Sequence, residues 1–239
     1  MYSVYLNVCF SYKIIFKNNM RNINVKDTYK IKILYVSLML MFFICFLVSV
    51  IDERPKMKID VVFAVGAAGR DANEVFDKEK EITNSFIDNL KDNDARFAVI
   101  EFGHKATVKS HLGEERDAGK LKASVKEMTR SGDGKCLDKV LEQAVQIFHN
   151  EARPASTRVL LVLTNAKSSA RTNDLKKHAQ SLHEAGVKVQ VVAVGNDINE
   201  EELKQMTSEQ VPLLRVQPYE EPQSVVHNAA WILGGKIMY

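Results

Sequence analysis

Cysteine is the first scarcity. The chain has three, Cys9, Cys45 and Cys136, and the first two fall in an N-terminal extension. The remainder therefore cannot close an internal disulfide, and a domain of about 190 residues can be stable without one. Cys136 stands at the start of a helical pattern among apolar residues, where a thiol acts as a small hydrophobe; a reactive thiol is the alternative. No Asn-x-Ser/Thr sequence occurs, so N-glycosylation is not expected. Repeats and low-complexity stretches are also missing. The six histidines, His104, His111, His149, His178, His183 and His227, lack metal-ligand spacing and read as solvated surface residues.

An excess of positive charge is missing too, once the extension is set apart. Residues 1–51 hold Lys13, Lys17, Arg21, Lys26, Lys30 and Lys32 against Asp27. Taking these from chain totals of 33 Lys+Arg and 30 Asp+Glu leaves 27 and 29, a net charge of −2 downstream. A nucleic-acid binder would concentrate basic residues on its folded part, so nucleic acid is excluded as a partner.

What is present begins with an apolar run. Residues 33–51 carry no charge and are interrupted only by Ser37 and Ser49, behind the basic leader at 1–32. About 18 such residues suffice to cross a bilayer. Two readings stand. One is a signal-anchor helix with its N-terminal side cytoplasmic. The other is a cleaved signal peptide, with Met20 as an alternative start. Both place the rest of the chain outside the cell, secreted or on a single-pass membrane protein. Residues 52–58 form a short charged stalk, and the domain occupies 59–239.

Within the domain, strand and helix patterns alternate. Strands are expected at 59–65, 96–102, 158–164, 187–194 and 213–216, the last at an edge. A short strand at 105–112 should form a hairpin with 96–102 after the Gly103 turn. Helices are expected at 73–90, 118–128, 135–149, 172–185, 199–206 and 221–233. Gly186 is placed to cap the helix before it. Val159-Leu160-Leu161-Val162-Leu163 is the most hydrophobic strand, as a strand buried on both faces of a parallel sheet must be. The pattern defines an α/β fold: a doubly wound, mainly parallel sheet with helices on both faces.

Such sheets bind ligands at the carboxyl ends of their strands. Three loops fall there: 66–71, 129–135 and 164–169. Their order and spacing, with Ile59-Asp60-Val61-Val62-Phe63-Ala64-Val65, Ala98-Val99-Ile100-Glu101-Phe102, Gly134-Lys135-Cys136-Leu137 and Val192-Ala193-Val194-Gly195, resemble a von Willebrand factor A domain over residues 59–233. The resemblance implies a Rossmann-like doubly wound fold and, from the A domains of type VI collagen and matrilins, a matrix or adhesion role. It also implies a divalent cation held by Asp-x-Ser-x-Ser after the first strand. Here those places read Gly66, Ala68 and Arg70. The second-loop threonine place is Asp133, and the third-loop aspartate place is Asn165. Two of these have no side-chain oxygen, one is a cation and one a neutral amide. A hard cation needs oxygen ligands, some anionic. The site is therefore expected to be degenerate, with no metal and no cofactor. Arg70 and Asp133 should face each other across the first two loops and partly replace the ion. Arg70, Asp71, Asp133, Lys135, Asn165, Lys167 and Ser168 are the candidate interaction residues.

Two nucleotide motifs fail on inspection. Gly66-Ala67-Ala68-Gly69 lacks the three-glycine spacing of a dinucleotide fingerprint. Ser131-Gly132-Asp133-Gly134-Lys135 lacks the first glycine and the final Ser/Thr of a phosphate loop. The leading expectation is a non-enzymatic, metal-independent module binding another protein outside the cell. The alternatives are a nucleotide-dependent enzyme and an auxiliary subunit of a membrane complex.

Overall fold

The structure, a computed structural model, describes residues 29, 36–41, 43, 57–67, 73–91, 93–130, 136–165, 172–196, 198–208 and 211–229. Met1–Pro55 and Lys56–Tyr239 are separate units. In the first, Tyr29, residues 36–41 and Phe43 are helical and exposed. Among the described residues no helix is long and apolar enough to cross a membrane. The span expected over 33–51 lies mostly outside the described residues, as do the leader and most of the stalk, so membrane anchoring finds no support in the structure.

The second unit follows the alternation read from the sequence. Its elements are β1 (Lys58–Gly66), α1 (Asn73–Leu90), β2 (Asp94–Phe102), β3 (Ala106–Ser110), α2 (Ala118–Lys126), α3 (Leu137–Glu151), β4 (Thr157–Thr164), α4 (Thr172–Glu184), β5 (Val187–Val194), α5 (Glu200–Lys204), β6 (Leu214–Val216) and α6 (Pro222–Ala229). The six strands lie in the order β3-β2-β1-β4-β5-β6, and all neighbours are parallel except β2 and β3. Strands β1 and β4 are central, and both are buried on both faces along most of their length, where apolar residues predominate. The short β3 edge carries Lys109, which pairs with Glu101 of β2 at 2.8 Å; a charged edge resists pairing with another chain.

Side-chain alternation along the strands divides the core in two. Ile59, Val61, Phe63 and Val65 of β1 pack with Phe76, Ile82 and Phe86 of α1, Leu121 and Val125 of α2 and Val225 of α6. Val62 and Ala64 face the other way, with Leu160 and Val162 of β4, Leu141 and Phe148 of α3 and Leu182 of α4. Helix α4 ends as expected at Gly186, whose φ of +72° suits a residue without a Cβ and whose N–H donates to the His183 carbonyl at 2.9 Å.

One residue of β1 breaks the apolar run. Asp60 is fully buried at the amino end of the sheet. Its carboxylate accepts from Arg96 Nε at 2.9 Å and a second Arg96 nitrogen at 3.0 Å, a bidentate pair. It also accepts from the Arg153 backbone N–H at 2.7 Å, Arg153 Nε at 3.0 Å and the Ser156 hydroxyl at 2.8 Å. Arg153 is shared with Asp94, so the four charges balance. Arg153 and Ser156 reach Asp60 from a turn in which Ala155 adopts φ +57°, an uncommon conformation for a residue with a Cβ. Burial pushes the Asp60 carboxyl up, but the bonds from Arg96, the Arg153 backbone and Ser156 outweigh it and hold it below its ordinary value.

Breaking such a cluster strands its cations. Asp60→Ala is expected to lower the free energy of unfolding by about 3–5 kcal/mol, read from urea denaturation at pH 7. A folded-state pKa below the unfolded one means that the Asp60 contribution is complete above about pH 4 and lost as the pH falls through the depressed value. The gap between wild type and Asp60→Asn should therefore narrow below about pH 4. A loss under 1 kcal/mol for Asp60→Ala would refute this role.

Candidate functional site at the carboxyl edge of the sheet

The strand order reverses between β1 and β4. From β1 the chain moves outward through β2 to β3; from β4 it moves the other way through β5 to β6. A crevice at such a switch point, beyond the carboxyl ends of the strands, is where open α/β sheets place ligands. Gly66 ends β1 and Thr164 ends β4, and the registers align Val65 with Leu163 one step below. The edge is fastened by backbone bonds: Ala67 N–H to the Phe102 carbonyl at 2.6 Å, Gly195 N–H to Val216 at 2.8 Å, and Cys136 N–H to Gly103 at 3.2 Å.

Of the metal-place and interaction residues expected in the three loops, Gly66 and Asn165 are the two that the structure describes. They lie as expected on the neighbouring ends of β1 and β4. Ala68, Arg70, Asp71, Asp133, Lys135, Lys167 and Ser168 lie outside the described residues, and with them the Arg70–Asp133 pair.

Two of the family's metal-ligand places, Gly66 and Asn165, are described. A Cβ added at Gly66 would meet the Leu163 carbonyl oxygen at 3.1 Å, the Phe102 ring at 3.3 Å and Glu79 Oε2 at 3.4 Å. The place of the first ligand has no side-chain oxygen and little room to regain one. Asn165 offers a neutral amide. Thr164 Oγ1 is fully buried with no hydrogen-bond partner among the described residues. Among the described residues, no group of three or more His, Cys, Asp or Glu is gathered as a metal would need.

Three features escaped the sequence reading. The first is Glu79, completely buried on the inner face of α1 and brought beside Gly66. It sits within an amphipathic repeat whose other buried residues are mostly apolar. The second is the Asp60 cluster at the opposite edge, signalled by one acid inside a strand with apolar neighbours. The third corrects one histidine: His183 Nε2 is buried with no hydrogen-bond partner among the described residues, whereas His111, whose Nδ1 lies 2.7 Å from Glu151 Oε1, is exposed as expected. Cys136 is half-buried at the N-cap of α3 and packs against the second core cluster. Burial pushes its thiol above the ordinary value, which favours the small-hydrophobe reading over a reactive thiol.

A mainly parallel six-stranded sheet with helices on both faces and a switch point between β1 and β4 defines a class of doubly wound α/β domain. The von Willebrand factor type A domain matches residues 60–227, and the chain belongs to that family. It is 27% identical over 158 residues to the mouse collagen alpha-4(VI) chain, covering 64% of this chain and 7% of that protein. It is equally identical over 158 residues to chicken matrilin-1, covering 64% of this chain and 31% of matrilin-1. It thus spans under a third of either relative. Among solved structures, proximal thread matrix protein 1 from the mussel byssus superposes with a TM-score of 0.66 at 16% identity, covering 75% of this chain and 48% of that one. A further structure of that protein has a zinc-occupied metal motif (TM-score 0.64, 18% identity, covering 75% and 46%). At such identities the likeness shows the fold alone.

The crowding at Gly66 yields a direct expectation. Leu163 belongs to a central strand and the Phe102 ring is fully buried, so neither yields easily. Gly66→Ala should lower stability by about 1–3 kcal/mol in urea denaturation, the usual range for overpacking. A neutral or stabilising effect would show that the edge has room.

Proposed function

We propose that this chain is an extracellular protein-interaction module whose partner binding needs no metal ion. The observation that carries the reading is the end of β1: at the switch point, the first ligand place is a glycine hemmed in by Leu163, Phe102 and Glu79. Family membership supports an interaction role, and a collagen chain, matrilin and a thread matrix protein among the relatives and structural neighbours support a matrix or adhesion setting outside the cell. What those whole proteins bind is theirs; fold alone does not transfer a partner. The same relatives favour a binding role over catalysis.

The surface proposed for the partner is the carboxyl edge of the sheet. Its candidate contacts are Arg70, Asp71, Asp133, Lys135, Asn165, Lys167 and Ser168 from the three loops. Side chains of both signs suit a polar protein surface, with Arg70 and Asp133 bridging two loops as a charge-assisted hydrogen bond.

The test is calorimetric. Mg²⁺ or Mn²⁺ titrated into the full chain at millimolar concentrations should give no saturable heat, and adhesion to a matrix partner should survive EDTA. Saturable 1:1 binding that Asp133→Ala abolishes would overturn the proposal.

A further inference from the structure

Helices α3 and α4 pack side by side over one face of the sheet, and a cavity of about 400 Å³ lies between them. Val145 and Phe148 of α3 and Leu182 of α4 supply apolar walls. Ala152 and Ala185, just past the ends of the two helices, are too small to fill the space between them. Cavities of about 300–1,000 Å³ with mostly apolar linings and a few polar groups are the usual form of a small-molecule site. The charge at this cavity is unmatched. Arg158, near the start of β4, also lines it, and one guanidinium nitrogen donates to the Ala185 carbonyl at 3.3 Å. Among the described residues Arg158 makes no ion pair, because the acids around it are engaged elsewhere. Asp60, in register with Arg158 on β1, is held by Arg96, Arg153 and Ser156. Glu151 receives the Leu112 N–H and contacts His111, and Glu184 accepts from Gln180 at 2.8 Å. A guanidinium carries five N–H donors in a planar fork that matches a carboxylate, so most of the Arg158 donors are free for one.

We propose that this cavity binds a small amphipathic carboxylate, with its alkyl chain between α3 and α4 and its carboxylate on Arg158. The hydrocarbon walls select an apolar body, and burying it provides the drive. The unmatched guanidinium selects an anionic head and repels a cationic one. The site lies toward the amino edge of the sheet, away from the three loops, and does not depend on the metal-independent reading of the opposite edge.

Octanoate titrated calorimetrically into the full chain at pH 7, at millimolar concentrations, should give saturable 1:1 heat. Hexanoate should bind about tenfold more weakly, because two fewer methylenes are buried. Octanol has the same chain without the charge, and it should bind at least about tenfold more weakly than octanoate, the scale of a charge-assisted hydrogen bond. Arg158→Gln should weaken octanoate to the same degree, and Ala185→Leu, which fills the cavity, should abolish binding. Circular dichroism checks that both variants fold; the ligand series on the wild-type chain decides the matter even where they do not. Absence of saturable heat with octanoate, or equal binding of octanoate and octanol, would overturn the proposal. So would octanoate binding left unchanged by Arg158→Gln or by Ala185→Leu, since the ligand would then lie elsewhere.

Discussion

The buried carboxylate of Asp60 organises the amino edge of the sheet. It lies on β1, with β2 on one side and β4 on the other, and its five hydrogen bonds reach β2 and the turn that leads into β4. Arg96 comes from β2, while Arg153 and Ser156 come from the turn between α3 and β4. Arg96 also donates to the Glu151 carbonyl at 2.6 Å, which ties the end of α3 to the same cluster. The Glu151 side chain in turn receives the Leu112 backbone N–H at 2.8 Å, beyond β3. The Asp60 carboxylate is fully buried while the Arg96 and Arg153 side chains stay partly exposed, so the anion is closed in and its cations lie at the rim. Closing this edge by charge leaves the opposite edge to be shaped by its loops.

Gly66 occupies the end of the central strand, and the space it leaves is bounded by β2, β4 and α1. The mussel-byssus neighbour shows that this architecture can carry zinc. In the proposed metal-independent reading the difference lies in a few residues at the strand ends rather than in the sheet, and function must be argued from the site.

The fold was legible because its signals are additive along the chain. Five apolar residues in succession at Val159–Leu163 placed β4 in the middle, and the apolar spacing at Val75, Phe76, Ile82, Phe86, Ile87 and Leu90 marked α1. Element ends were less legible. Helix α3 begins at Leu137 and runs to Glu151, two residues beyond both expected limits, because periodicity does not report where the last turn stops. The site was legible as a set of positions after β1 and β4, since their loops follow strand ends in a known order. Its other half was not. Nothing in the spacing of Glu79 distinguishes an acid turned into the core from one turned to solvent. Asp60, likewise, shows its role only when Arg96 and Arg153, distant in sequence, are brought beside it.

The central claim is that protein atoms, not a cation, fill the crevice between the ends of β1 and β4. Crystals of the full chain grown in millimolar Mn²⁺ and measured for anomalous scattering test it most directly. The account predicts no anomalous peak between Gly66 and Asn165, with the Glu79 carboxylate beside Gly66. A peak there at coordination distance from Glu79 or Asn165 would contradict it.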